Sequence, residues 1–309
     1  MISAWSDEDG MGVAVAAPEQ VSISLVIPAL NEAANLPHVL TRIPTMVDEV
    51  LLVDGHSVDD TIAVARAIRP EIRVLLQRAH GKGNALACGF AAATGDIIVM
   101  LDADGSTDPA ELPQFVDVLL GGSDFAKGSR FVEGGHSADI TRVRATGNKF
   151  LNTAVNVLFR TRYTDLCYGY NAFWRHCLPH MSVTSPGFEV ETLINVRIAR
   201  AGLLVTEVPS IEYERIHGVS KLNAVRDGMR ALSVIVRERM RGRRRTRRDK
   251  WEPEFRELPP APEGADPRDP VAPASEDSYR LTHNVPSEAR SAPDMMTALD
   301  PAGAGGPAL

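Results

Sequence analysis

A chain of 309 residues, 44% of them hydrophobic, can bury a sizeable core as one large domain or two small ones. Three scattered cysteines, Cys88, Cys167 and Cys177, form no C-x-x-C pair, which argues against a disulfide framework or a zinc site and fits a reducing cytoplasm. Charge is uneven: residues 251–309 carry eleven acids and four bases, equal to the whole net charge of −7, whereas 237–250 hold nine bases and two acids.

Residues 1–20 read as a flexible leader, with acids where a secretory signal would carry bases. No stretch approaches eighteen uninterrupted apolar residues, so no membrane-spanning helix is expected. Val21 to Ile27 is rich in β-branched residues and ends at Pro28, which predicts a strand running into a loop. Asn31 is a good N-cap for a helix over 32–43. A second strand, Val50 to Val53, ends in Asp54, and Ser57, Asp59 and Asp60 open a helix that stops before Pro70. Ile72 to Leu76 is the third strand. Gly81-Lys82-Gly83-Asn84 then leads into an alanine-rich helix reaching Thr94. Ile97 to Leu101 is a five-residue apolar run, a buried strand, and Asp102-Ala103-Asp104 follows it at once.

Strands alternating with helices predict an α/β domain whose mostly parallel sheet is covered on both faces. Ligands of such sheets collect beyond the carboxyl ends of the strands. Three of those ends meet polar loops, P-A-L-N-E, D-G-H-S-V-D-D and D-A-D-G-S, which predicts one cleft. Two carboxylates two residues apart suit a divalent cation that neutralises a diphosphate. The alternative is a solvated turn in which Asp104 and Asp108 cap the next helix.

The second half is less regular. Pro109 to Leu120 is a helix, and Asp124 to Lys127 a short strand leading to G-S-R at 128–130. Asn148 to Phe159 is helical, and the aromatic-rich stretch Asp165 to Trp174 turns at Gly169. Phe188 to Ala201 is a helix and Leu203 to Val208 a strand, followed by I-E-Y-E-R-I-H-G-V-S-K-L. Arg215 and Lys221 in that stretch read either as a solvated charged loop or as a phosphate clamp. Asp165, Glu189 and Glu191 are the candidate general bases, should the chemistry require a hydroxyl to lose its proton. Glu189 and Glu191 equally suit the positive end of a helix. Gly81-x-Gly83 lacks the third glycine of a dinucleotide fingerprint, which excludes a nicotinamide site.

Leu222, Val225, Met229, Leu232, Val236 and Met240 make one stripe of an amphipathic helix whose basic end runs to 250. Its bases lack interleaved aromatics, so nucleic acid is not the expected partner. An anionic membrane surface contacted through 237–250 fits better. Eleven prolines in the last 59 residues, without periodicity, predict disorder. The expected organisation is a leader (1–20), the main α/β domain (21–221), a basic helical segment (222–250) and an acidic Pro/Ala-rich tail (251–309).

With P-A-L-N-E, V-D-G-H-S-V-D-D-T, G-K-G-N-A-L, D-A-D and G-S-R in this order, the sequence resembles the family 2 glycosyltransferases, which have the GT-A fold. V-P-S-I-E-Y-E-R-I-H-G-V-S-K-L is similar to the end of the dolichyl- and polyprenyl-phosphate mannosyl- and glucosyltransferases. The resemblance spans roughly residues 21 to 225. It implies a hexose donor linked to GDP or UDP, a Mg2+ or Mn2+ ion, inversion at the anomeric carbon and a polyprenyl-phosphate acceptor; together with the basic segment, the expectation is a cytoplasmic protein peripheral on the inner face of the membrane. By motif position it implies that Pro28, Asn31 and Glu32 line the nucleoside pocket and that Asp54 accepts a hydrogen bond from the base. Lys82 lies near the ribose or diphosphate, Asp102 by the ribose or metal, and Asp104 on the metal itself. Arg130, Arg215, Ser220 and Lys221 meet the donor and acceptor phosphates.

The chain departs from the family pattern in three places. Asp54-Gly55-His56-Ser57 keeps one acid of the usual D-D-G-S, and Ser106 stands where some relatives carry a metal-binding glutamine. Asp165-Leu166-Cys167-Tyr168-Gly169-Tyr170-Asn171 replaces D-x-T-S-G-F-R, losing an arginine on the acceptor side. A hydroxyl acceptor on a soluble metabolite or glycan, or a non-catalytic nucleotide-sugar-binding protein, therefore stays as an alternative.

Overall fold

A computed structural model of the chain describes residues 21–218, 223–241, 253–260 and 280–281. Its first half runs β1 (Ile23–Ala29), α1 (Leu36–Leu40), β2 (Glu49–Asp54), α2 (Thr61–Ile68), β3 (Arg73–Gln77), α3 (Lys82–Ala92) and β4 (Ile97–Met100). The second half continues with α4 (Leu112–Leu120), β5 (Phe125–Ser129), β6 (His136–Ser137), α5 (Arg142–Phe159), β7 (Asn171–Trp174), α6 (Leu178–Met181), α7 (Val190–Ala201), β8 (Val205–Pro209), β9 (Ile211–Glu212) and α8 (Ala224–Met240). Two strands follow, β10 (Glu254–Glu257) and β11 (Arg280–Leu281).

The main sheet has the order β11-β10-β3-β2-β1-β4-β7-β5-β8. β3, β2, β1 and β4 are parallel, β7 is antiparallel between β4 and β5, and β8 is parallel to β5. Helices α1, α2 and α4 cover one face over Leu25, Ile27 and Leu52, with Phe115 of α4 packed into the same cluster. Helices α3, α6 and α7 cover the other over Val26, Val53, Leu75 and Phe173. Burial on both faces explains why the central strands are unbroken apolar runs rather than alternating ones. A third cluster, around Leu151, Val155, Leu166, Val196 and Ile235, joins α5, α7 and α8. From β1 the chain builds outward to β2 and β3, then crosses back to place β4 on the other side of β1. That reversal opens a crevice where the loops after β1 and β4 diverge.

Two expectations change. The helix over 32–43 shrinks to α1, because Asn31 has φ +59° and its side-chain oxygen accepts the Val58 N–H (2.8 Å). Asn31 therefore ties the β1 loop to the β2 loop instead of capping a helix. The stretch from 251 is not uniformly without structure either. β10 pairs antiparallel with β3, burying Phe255 and Leu258, while Glu254 and Glu257 pair with Arg78 and Arg73. Without β10 that side of β3 would leave its backbone groups unpaired. The leader, 242–252 and most of the tail lie outside the described residues. No described helix is long and apolar enough to cross a membrane.

Candidate active site

The loops after β1, β2 and β4 meet at the crevice, as their polar composition predicts. Asp54, 1% exposed, ends β2 and accepts the His56 and Ser57 N–H groups on Oδ2 (2.9 and 3.0 Å). Its Oδ1 is buried with no hydrogen-bond partner, a spare acceptor at the end of β2. Pro28, Glu32, Gly55 and Gln77 line this end of the cleft.

Asp102 and Asp104 lie just beyond β4, and each is met by a cation from elsewhere in the chain. Lys82 Nζ lies 2.6 Å from Asp102 Oδ1 and 2.6 Å from Glu191 Oε1. Burial alone would lower the Lys82 ammonium, but these two carboxylates outweigh it and hold its pKa well above the ordinary lysine value. Glu191, also buried, is pushed up by its own desolvation, with Lys82 opposing and Asp102 reinforcing the rise. Arg215 bridges Asp104 Oδ2 (2.6 Å) and Glu32 Oε1 (3.4 Å).

Glycines make this clustering sterically feasible. A Cβ on Gly83 would sit 1.7 Å from the Ser185 carbonyl oxygen, and Gly81 has φ +101° against Pro186. The G-K-G run thus lets α3 start against the 185–186 backbone and deliver Lys82 into the cleft. A Cβ on Gly169 would lie 2.7 Å from Asp102 Oδ2 and 3.0 Å from Lys82 Nζ. The segment after β9 crosses the acid pair: Thr107 bridges Glu212, and the Tyr213 N–H donates to the Ser106 carbonyl (2.7 Å). That crossing sets Arg215 on Asp104.

Asp108, not Asp104, does the helix capping, accepting the Ala110 N–H at 2.9 Å. Asp104 Oδ1 accepts the Ser106 N–H and hydroxyl (3.0 and 2.7 Å). Among the described residues no three His, Cys, Asp or Glu side chains converge as a complete metal cage. Two carboxylates and a hydroxyl are nonetheless hard oxygen donors suited to Mg2+ or Mn2+, which usually take one or two protein carboxylates and complete their shell with phosphate oxygens and water. The residues fit such an ion, provided that Arg215 yields its hold on Asp104.

Two expected site residues do other work. Asp165, fully buried, pairs with Arg130 through Nε–Oδ2 (2.7 Å) and Nη2–Oδ1 (3.0 Å) and accepts from Asn148 Nδ2 (2.9 Å). Burial would raise this carboxyl, but the hydrogen bonds and charge of Arg130 overcome it and hold it below the ordinary aspartate value. This carboxylate is thus occupied by Arg130 and Asn148 and lies off the cleft wall. Arg130 itself is on the cleft lining, spends its remaining arm on Glu212 (2.9 Å) and lies over the Tyr168 ring, so two carboxylates balance its charge. Glu189 makes no capping hydrogen bond and lies off this cleft, whereas Glu191 is on its wall. Ser220 and Lys221 lie outside the described residues.

The cleft, about 660 Å3, continues from the acid pair to a second, apolar end. There α5 contributes Val143, Phe150 and Leu151, and α8 contributes Val225, Met229 and Leu232. Sequence reading missed Gln77, Glu212 and the role of α5. Only Glu212 left a signal, as one of the ionisable groups crowded into I-E-Y-E-R.

Comparison with known proteins identifies the family. The model for glycosyl transferase family 2 matches residues 24–180, and the chain belongs to that family. It is 31% identical over 217 residues to glycosyltransferase AglJ of Haloferax volcanii, covering 68% of this chain and 70% of that one. It is 33% identical over 220 residues to the polyprenol monophosphomannose synthase of Mycolicibacterium smegmatis, covering 66% and 83%. Among solved structures it resembles glucosyl-3-phosphoglycerate synthase from Mycobacterium tuberculosis in complex with Mn2+, UDP-glucose and glycerol 3-phosphate. That match has a TM-score of 0.58 at 27% identity, covering 71% of this chain and 80% of that one. The fold is thus of the GT-A type, and the chain is a glycosyltransferase.

Proposed function

We propose that this enzyme is an inverting, metal-dependent hexosyltransferase that moves sugar from a GDP- or UDP-linked donor to a polyprenyl phosphate. The observation that carries this reading is the two-ended cleft. One end gathers the acid pair with Lys82 and Arg215, and the other is walled by apolar side chains of α5 and α8. A nucleoside diphosphate with a divalent cation matches the first end, and a phosphate on a hydrocarbon chain matches the second. The name of the M. smegmatis relative supports the acceptor, and the Mn2+ and UDP-glucose of the M. tuberculosis complex support the donor and metal.

In this reading Pro28, Asn31, Glu32 and Asp54 hold the nucleoside, with the spare Oδ1 of Asp54 accepting an N–H from the base. Asp104 would hold Mg2+ or Mn2+, with Asp102 beside it at the ribose. The ion would neutralise charge on the departing diphosphate. Arg215 exchanges Asp104 for a phosphate oxygen, and Lys82 keeps its charge at the cleft floor. A lipid monophosphate carries about −1.5 to −2 near neutral pH. Its oxygen bonds to the anomeric carbon as the bond from that carbon to the diphosphate breaks, and no proton has to move. The enzyme works as a peripheral protein on the cytoplasmic side, with 237–250 touching anionic lipid.

Glu191 favours a second reading, because a carboxyl with a raised pKa on the cleft wall could serve a hydroxyl acceptor as a base. The test is a screen of GDP- and UDP-hexoses for EDTA-sensitive transfer to a short polyprenyl phosphate, read by label entering the organic phase. A phosphate acceptor predicts that Glu191→Gln retains transfer within about tenfold, whereas loss of a base would cost roughly 100- to 10,000-fold. Transfer to hydroxyl acceptors alone would overturn the proposal.

A further inference from the structure

The two helices that wall the apolar end of the cleft carry exposed apolar side chains, Val143, Phe150, Val225 and Met229 at its mouth and Val157, Val236 and Met240 outside it. On α5, Val143, Phe150 and Val157 are 66%, 61% and 74% exposed. On α8, Val225, Met229 and Met240 are 72%, 62% and 76% exposed. An amphipathic helix of a water-soluble domain normally buries such a stripe. Here α8 buries its opposite side instead, with Ala231, Val234 and Ile235 beside its two acids, Asp227 and Glu238. Glu238 is held by Arg197 (3.0 Å), Arg200 and Arg241, and Asp227 by Arg226 and Arg230.

Turning both acids inward leaves α8 an outer surface of apolar residues, one serine and four arginines, at 226, 230, 237 and 239. Helix α5 has no acid at all and adds Arg142, Arg144 and Lys149. Two adjoining helices thus share a surface with seven bases and no exposed acid of their own, although Arg144 pairs with Asp139 just ahead of α5 (3.0 Å) and Arg226 and Arg230 pair with Asp227.

We infer that this α5–α8 face docks on an anionic lipid bilayer. Its valines, methionines and Phe150 enter the boundary of the acyl chains, and its arginines and Lys149 lie level with the lipid phosphates. Every residue named on this face lies within 142–157 or 225–240. A second copy of the chain fits less well, because a two-fold contact would set the seven bases of each face against those of the other. The inference rests on the polyprenyl-phosphate reading for its purpose: docking this way turns the apolar mouth of the cleft toward the membrane. The acceptor's chain then stays in lipid while its phosphate reaches the donor.

The test uses the full chain and flotation with vesicles of phosphatidylcholine, with and without phosphatidylglycerol. Val157→Glu, Val236→Glu and Met240→Glu, singly and combined, alter the face without touching the cleft wall, and Leu120→Glu at the end of α4 is the control. Wild type and control should float with the anionic vesicles, and the triple variant should bind roughly tenfold more weakly or worse. Unfolding temperature and transfer to a short, water-soluble polyprenyl phosphate should not change, while transfer to a long-chain acceptor embedded in vesicles falls with binding. Equal flotation of the triple variant and wild type would overturn the inference. So would a wild-type dimer that these substitutions split, in the absence of vesicle binding. Docking through this face without transfer to any lipid phosphate would uphold the inference and refute the acceptor reading instead.

Discussion

Replacing Asp104 with alanine is expected to lower sugar transfer by roughly a thousandfold while leaving the fold intact. The side chain is 15% exposed and touches Arg215 and Ser106 rather than the apolar core, so its removal opens no cavity there. What it removes is the carboxylate on which a cation at the diphosphate would depend. Arg215→Ala separates this role from a mere ion pair. Without Arg215 as a competitor, Asp104 should bind Mn2+ alone more tightly in calorimetry, while transfer falls because a phosphate contact is lost. Asp102→Ala should cost less than Asp104→Ala, since Lys82 keeps Glu191 as a partner. Wild-type transfer by Asp104→Ala would remove the acid pair from the mechanism.

Much of the donor end was legible because its chemistry is local. A buried strand followed at once by D-A-D states both the position and the ligand type, and the order of β1 to β4 follows from alternation with helices. What escaped was long-range pairing. N-A-F-W of β7 reads the same whether its neighbours are parallel or antiparallel, so its direction is not written in it. E-F-R-E of β10 is four residues inside a proline-rich stretch, and its partner β3 lies about 180 positions earlier. The periodicity of α8 revealed a stripe but not which way it faces. Direction was decided by Asp227 and Glu238, whose arginine partners let the charged side go inward. Arg130 and Asp165 were each singled out, one for phosphate and one as a base. Only the fold brings them together across 35 residues, and that pairing assigns both to holding the cleft's wall.

Substituting Asp165 should therefore be seen first in stability. Its carboxylate and the Arg130 guanidinium are 0% and 4% exposed, so removing one leaves the other charged and dry. Breaking such a buried pair costs about 3–5 kcal/mol, which for a domain of this size lowers the unfolding temperature by roughly 10 °C. Glu212 would remain on Arg130 and soften the loss, which makes Asp165→Ala milder than Arg130→Met, where two carboxylates lose their partner at once. The sign of the pH dependence follows from the lowered Asp165 pKa. The pair stabilises the fold above the unfolded-state value of about 3.9, and that contribution disappears as pH falls through the lower folded-state value. Calorimetric scans should accordingly show wild type well above Asp165→Asn at neutral pH, with the gap closing below about pH 4. A gap that stayed constant into acid would mean the carboxylate's charge contributes nothing, and that Asp165 serves the wall by shape alone.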